Sequence, residues 1–343
     1  MRTTLKDIAQ ATGLSVTSIS LVLNARPNRL SEESRRKVLE AAKQLNYSTS
    51  SHSSPSASEC HSIGLIVPNI SDFFFGEIAQ GVIDCARTHD FTVLLGTNGE
   101  SPQMDNQNIR SLSRQGVRAL LIVSAHEQAN TLLDQLSFPV IQVDRQSLSL
   151  NRSAVLLNHR KGGYLATRHL IDLGHRHIAC ITGPGAQASS QQRLAGYCWA
   201  FEETGLPLPK NAIFEGDYAP KSGYQLLDSI ISAGFTAVFC GNDMMAIGIY
   251  KRMRELGLKP AQDLSIVGFD DISFADLLEV PLTTIRQSGY NIGFEACKRA
   301  FLELDNPDLP KQTIQFEPEL VIRQSTRKKE ERHRATYYCD WLC

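Results

Sequence analysis

Thr4-Leu5-Lys6-Asp7-Ile8-Ala9-Gln10-Ala11-Thr12-Gly13-Leu14-Ser15-Val16-Thr17-Ser18-Ile19-Ser20-Leu21-Val22-Leu23 spells two short amphipathic helices with a turn between them. Thr4 offers an N-cap with Asp7 as a first-turn acid, and Leu5, Ile8, Ala9 and Thr12 fall on one helical face. Gly13 can take the left-handed conformation that ends a helix, and Ser15 can cap the next. The second helix, 16 to about 23, turns Ile19, Val22 and Leu23 inward and Val16, Thr17, Ser20 and Leu21 outward. Ser31-Glu32-Glu33 opens a third helix to about residue 45, with Val38, Leu39, Ala42 and Leu45 expected inward. Helices this short must bury their apolar faces on one another, and this order forms an all-α helix-turn-helix head.

In such a head the second helix enters the major groove and presents its first residues to base edges. Thr17 can hydrogen-bond to a base, while Val16 and Leu21 suit thymine methyl groups. Ser18, Ser20, Asn24, Arg26 and Arg29 suit phosphate oxygens, which fix register, and the two caps, Thr4 and Ser15, complete the expected DNA-facing set. Charge agrees: residues 1–47 hold eight Lys/Arg against four Asp/Glu, and 323–343 hold six against three, although the whole chain carries only −1. The stretch between them is therefore acidic, and a basic head on an acidic body points to a head that meets a polyanion such as double-stranded DNA.

The 343 residues allow two or three folding units, and 42% hydrophobic with 21% charged residues is an ordinary globular composition. No apolar run reaches the roughly 18 residues of a membrane span, and the N-terminus lacks the apolar stretch of an export signal, so a cytoplasmic protein without a membrane partner is expected. The eight cysteines form no C-x-x-C pair and read as reduced, packed thiols, with no metal site. Dinucleotide, phosphate-loop, H-E-x-x-H and G-x-S-x-G motifs are missing, so no catalytic residues and no cofactor are assigned.

The head resembles that of the LacI/GalR family of bacterial regulators through Thr4-Leu5-Lys6-Asp7-Ile8-Ala9, Gly13-Leu14-Ser15, Ser18-Ile19-Ser20, Val22-Leu23-Asn24 and Leu45-Asn46-Tyr47. The resemblance continues through Ile63-Gly64-Leu65-Ile66-Val67-Pro68, His175-Arg176-His177-Ile178-Ala179, Gly241-Asn242-Asp243, Val267-Gly268-Phe269-Asp270-Asp271 and Pro281-Leu282-Thr283-Thr284-Ile285. It implies a homodimeric, sequence-specific transcriptional regulator, read as a repressor of a carbohydrate-utilisation operon. A sugar-binding receptor without a DNA role would instead call for an export signal and no head. An activator is not separable from a repressor by sequence.

Residues 48–61 hold seven Ser and no Lys or Arg, the composition of a flexible tether. The family places here a hinge helix that wedges a Leu into the minor groove. This chain has Thr49-Ser50 where Pro-Asn is usual, Ser53 for an Ala and Ser56 near the wedge position, so a weak hinge helix is expected. The expected division is a head at 1–47, a linker at 48–61, a body at 62–326 and a basic, unstructured tail at 327–343.

From residue 63 short apolar runs alternate with helical stretches. Strands are expected at 63–67, 92–95, 119–123, 140–143, 178–181, 237–240 and 264–267, and helices at 77–89, 161–172, 192–204, 224–233 and 244–256. This alternation predicts an α/β body of two doubly wound parallel sheets, with a cleft at the carboxyl ends of the strands. The subdomains are expected near 62–158 plus 288–318 and near 159–287 plus 319–326. Loops after the strands carry Asp72, Phe74, Phe75, Asp144, Arg145, Asn242, Asp270 and Gln287, whose groups suit sugar hydroxyls and ring faces. The resemblance to periplasmic sugar-binding proteins, and to ribose-type repressors in particular, implies the same positions and adds Tyr218. It also implies Gln191 where relatives place a pocket Arg. That exchange, with Asp72 for an Asn, is the expected reason for a small neutral sugar as effector.

Overall fold

The structure is a computed structural model that describes residues 4–23, 30–45, 61–123, 131–145 and 151–329. Asn24, Arg26, Arg29, the linker positions Thr49, Ser50, Ser53 and Ser56, and residues 330–343 lie outside the described residues. The chain divides into two units, 1–56 and 57–343.

Among its described residues the first unit holds three helices, α1 (Leu5–Thr12), α2 (Val16–Leu23) and α3 (Glu32–Gln44). Gly13 ends α1 at φ 70°, in the left-handed region that a residue with a Cβ reaches only at a cost. Ile8, Ile19, Val22, Val38 and Ala42 form its core. Leu39 and Leu45, expected inward, are 54% and 36% exposed. Successive helical residues turn by about 100°, so a face centred on Val38 and Ala42 leaves Leu39 outside, and Leu45 falls beyond the last helical turn.

The second unit opens with β1 (Ser62–Val67), α4 (Phe73–Arg87), β2 (Thr92–Thr97), α5 (Pro102–Arg114), β3 (Leu120–Ile122), β4 (Val140–Asp144) and β5 (Ala154–Leu157). It continues with α6 (His159–Asp172), β6 (Ile178–Thr182), α7 (Ala188–Glu203), β7 (Ile213–Glu215), α8 (Pro220–Ser232), β8 (Ala237–Cys240) and α9 (Asp243–Glu255). The chain then forms β9 (Ser265–Asp270), β10 (Thr283–Arg286), α10 (Gly289–Asp305), β11 (Thr313–Phe316) and β12 (Glu319–Val321). Among the described residues two six-stranded sheets result, ordered β11-β5-β4-β3-β1-β2 and β12-β10-β9-β8-β6-β7. All pairings are parallel except β10 with β12, where Ile285 lies opposite Leu320. Strands such as β1 and β9 are buried along their whole length because helices cover both faces.

Helix starts come earlier than their apolar periodicity indicates, because caps rather than apolar residues set them. The side chains of Asp72, Asn158 and Asn242 accept backbone N–H groups at the starts of α4, α6 and α9. Arg327 and Lys329, expected in an unstructured tail, are held by backbone bonds to Ser265 Oγ at 3.2 Å and Leu173 O at 2.8 Å. Cys85, Cys180, Cys240 and Cys297 are buried free thiols, and Cys198 is partly buried. Among the described residues no helix is long and apolar enough to cross a membrane, and no cluster suits a metal ion.

Candidate functional site

In the first unit Val16 and Thr17 stand exposed at the start of α2, whereas Ser18, Ser20 and Leu21 are half-buried. The Asp7 carboxylate accepts the Thr4 N–H at 2.6 Å and the Thr4 hydroxyl at 2.8 Å, which holds that carboxyl below its ordinary range. Ser15 Oγ accepts the Ser18 N–H at 3.1 Å. Thr4 and Ser15 thus set the helix starts, and the side chains that α2 offers most openly are Val16 and Thr17.

In the second unit the carboxyl ends of the two sheets face a cavity of about 370 Å³, within the size range of small-ligand sites. Asp72, Phe74 and Phe75 reach it from the start of α4, Asp144 and Arg145 from the end of β4, and Tyr218 from the loop after β7. Asn242, Asp270 and Gln287 line it from the ends of β8, β9 and β10. Nine of the ten expected effector residues therefore share one cavity wall.

Gln191 does not. It is exposed on α7, where its amide donates to Gly185 O at 2.8 Å, and Arg193, two residues later, lines the cavity instead. A two-residue step turns a helix by about 200°, so Gln191 and Arg193 point to opposite sides. Arg193 is only 6% exposed, lies over the Phe269 ring at 3.8 Å, donates to the Gly241 carbonyl and stands 3.8 Å from Asp270. The positive charge that the sequence reading removed is therefore present.

Glu100 and Gln187 also line the cavity, buried His159 contacts two of its lining residues, and sequence reasoning missed all three. His159 Nε2 stands 3.1 Å from Asp144 Oδ1, and its Nδ1 accepts from Arg193 Nε at 3.4 Å, so one imidazole joins charges from both sheets. Burial acts to raise the Asp144 carboxyl, but His159, Arg145 and Arg193 outweigh it and hold it below the ordinary range. Asp270 goes the other way: burial pushes it well up against the pull of Arg193, and Asp72 is raised by burial too. A signal for His159 existed in Asn158-His159, an N-cap next to a strand end, but nothing local tied it to Asp144.

The wall is built with backbone that most residues avoid. Asp144, Tyr218 and Asp270 have positive φ, at 62°, 64° and 117°, and so does Asp271, next to the wall, at 60°. Such conformations cost about 1–3 kcal/mol each and cluster where a site demands them. Asn242 holds Tyr218 in place by donating to its carbonyl at 3.0 Å while its Oδ1 caps α9. Gly183 lies beneath the Tyr218 ring, and a Cβ there would come within 2.0 Å of Cζ. Among the described residues the Tyr218 hydroxyl, Gln287 Oε1 and Arg145 Nε are buried and without a partner, polar atoms that a ligand can satisfy.

The bacterial regulatory proteins of the lacI family match residues 4–50, and the periplasmic binding protein-like domain matches residues 167–326. The chain is 32% identical over 331 residues to the HTH-type transcriptional repressor PurR of Vibrio vulnificus (strain CMCP6), covering 95% of this chain and 99% of that protein. It is 34% identical over 326 residues to the ribose operon repressor of Haemophilus influenzae, covering 94% and 98%. A LacI family transcriptional regulator from Enterococcus faecium, solved with bound ribose, matches with a TM-score of 0.72 and 25% identity over 78% of this chain and all of that one. Identity sustained along the length of these repressors, head and body together, places the chain in the LacI family of bacterial regulatory proteins, as a DNA-binding transcriptional repressor and not an enzyme.

Proposed function

We propose that the chain acts as a homodimer on an inverted-repeat operator of a carbohydrate-utilisation operon, and that a small neutral sugar of pentose size, bound in the cleft, weakens its grip on DNA. The observation that carries this reading is the convergence of unpartnered buried polar atoms, the Tyr218 hydroxyl, Gln287 Oε1 and Arg145 Nε, on a cavity also lined by Phe74 and Phe75. Hydroxyl groups both donate and accept, so a polyol can satisfy such a mixed set, while aromatic rings cover its C–H faces. Charge supports a neutral ligand even with Arg193 in the wall. Even with Asp72 and Asp270 left out because burial raises them, Glu100, Asp144 and Asp217 outnumber Arg145 and Arg193. The relative from Enterococcus faecium holds ribose, which supports a pentose.

In this mechanism the ligand favours the arrangement in which both sheets contribute to one wall. By linkage, a sugar that weakens DNA binding is itself bound more weakly by the DNA complex, with a coupling of about 1–3 kcal/mol. Two-fold symmetry of a dimer matches a pseudo-palindromic operator. Thr17 and Val16 are assigned to base edges.

Thermal-shift screening of the full chain against neutral sugars, followed by operator binding with any hit, tests the reading. A neutral pentose that raises the melting temperature and lowers operator affinity supports it. Stabilisation only by phosphorylated sugars or by flat heteroaromatic bases overturns it.

A further inference from the structure

We propose that Glu100 sets the charge selectivity of the cleft: by occupying the Arg145 guanidinium it admits an uncharged hydroxyl ligand and refuses a phosphorylated or carboxylated one. The proposal rests on the neutral-sugar reading and adds the residue that enforces it.

Arg145 is buried, and its Nη1 donates to both Glu100 oxygens, at 2.8 and 2.9 Å. Its Nη2 reaches Gln187 Oε1 at 3.4 Å, and Nε has no hydrogen-bond partner among the described residues. A free guanidinium in a cleft is a bidentate anchor for phosphate or carboxylate. Here Glu100 already fills that role. The Nε–H and the second Nη2 hydrogen that are left suit hydroxyl oxygens, whereas an arriving anion would lie beside the Glu100 carboxylate. Asp144, 3.9 Å from Arg145 Nε and 3.1 Å from His159 Nε2, adds a second repulsion.

The loop that presents Glu100 is tightly specified. Glu100 sits at φ 60°, directly after Gly99 at φ 54°, a left-handed pair that only Gly adopts without cost. Buried Asn98 accepts the Glu100 N–H at 3.0 Å and donates to buried Asp105 at 2.7 Å. The Asn98 and Gly99 N–H groups also bond to the carbonyls of Val67 and Pro68, at 3.0 and 2.9 Å. A strained Glu held by this many bonds is a positioned carboxylate, and refusing a wrong ligand by like charge is a general route to specificity.

The test is calorimetric titration of the full chain with D-ribose, ribose 5-phosphate and inorganic phosphate, in the wild type, Glu100→Gln and the Glu100→Gln/Arg145→Gln double variant. Glu100→Gln should raise affinity for both phosphate probes by about tenfold or more while changing ribose affinity less, and the double variant should lose that gain. Glu100→Asn, a residue type that tolerates the left-handed backbone, gives the same readout if the Gln variant is unstable. Phosphate affinity unchanged in Glu100→Gln, or a gain that persists without Arg145, overturns the proposal even where ribose binds. If ribose binds neither form but the Arg145-dependent phosphate gain appears, the selectivity role stands and the pentose reading falls.

Discussion

Phe73, the first residue of α4, meets Phe274 edge-on, with ring centroids 4.5 Å apart and planes at 88°. The first ring belongs to the element that follows β1 and the second to the loop between β9 and β10, so the pair ties the two sheets together at the rim of the cleft. Neither ring lines the cavity. Edge-to-face pairs contribute about 0.5–1.5 kcal/mol beyond their buried area. Phe274→Ala should therefore weaken sugar binding by up to about tenfold, through a smaller closed population and not through lost ligand contacts. Small-angle scattering of the sugar-free variant should show a more open body, and Phe274→Tyr, which keeps the ring, should restore both values. A variant that binds as tightly as the wild type and scatters identically would remove the rim contact from the mechanism.

The position of Arg193 depends on how closely α6 and α7 approach. A Cβ added to Gly163 would lie 2.1 Å from the Arg193 carbonyl oxygen, a backbone atom that cannot swing aside. Gly163→Ala should thus push α7 outward, destabilise the chain by about 1–3 kcal/mol as overpacking does, and weaken sugar binding by moving Arg193. Gly76 is the contrasting case. It sits within α4 with nothing inside 4 Å of a new Cβ, so Gly76→Ala should stabilise the chain by about 0.5–1 kcal/mol. Urea unfolding of both variants checks the pair.

These two glycines also mark how far the sequence could be read. Strand-helix alternation announced the parallel sheets, because strands covered on both faces are continuous apolar runs, and strand ends led directly to Asp72, Asp144, Asp270 and Gln287. What stayed hidden was fixed by tertiary contact. Helix α5, Pro102–Arg114, is mostly polar and shows few apolar positions to reveal a period, although Ser101 caps it. Arg193 and Gln191 are chemically plausible on any helix, and the side that turns inward follows from the packing of α7 on α6, close at both Gly163 and Gly196. His159 and Glu100 matter through partners 15 and 45 residues away, Asp144 and Arg145, and no local pattern encodes such pairs.

Two buried groups give the stability of the body opposing responses to pH. Burial pushes the Asp243 carboxyl up to about 7, although it accepts the Thr284 hydroxyl at 2.6 Å and the Ile272 N–H at 3.0 Å. The folded chain then keeps a proton that an unfolded Asp releases near 3.8, so this contribution is present below that value and is lost as pH rises through about 7. Burial lowers His175 from 6.5 to about 4, so its contribution is present above 6.5 and is lost as pH falls through about 4. Asp243→Asn leaves only the second response of the two. Its urea midpoint should fall relative to the wild type as pH is lowered from 8 to 5, and a constant difference across that range would show that Asp243 is ionised in the folded chain.

A substitution at Thr17 tests recognition of sequence apart from attraction to DNA. The Thr17 and Val16 side chains are exposed at the start of α2, while the neighbouring Ser15 and Ser18 hydroxyls bond to each other at 2.9 Å. Thr17→Ala removes a donor and acceptor but no charge, so it should change preference at one base position by about 1–3 kcal/mol and leave the salt dependence of binding as it was. Competition binding on operator variants, repeated at several salt concentrations, reads both quantities. A uniform loss across all duplexes with a flatter salt slope would mean that Thr17 serves the phosphate backbone, and the base-reading face of α2 would have to be sought at Ser20 and Leu21.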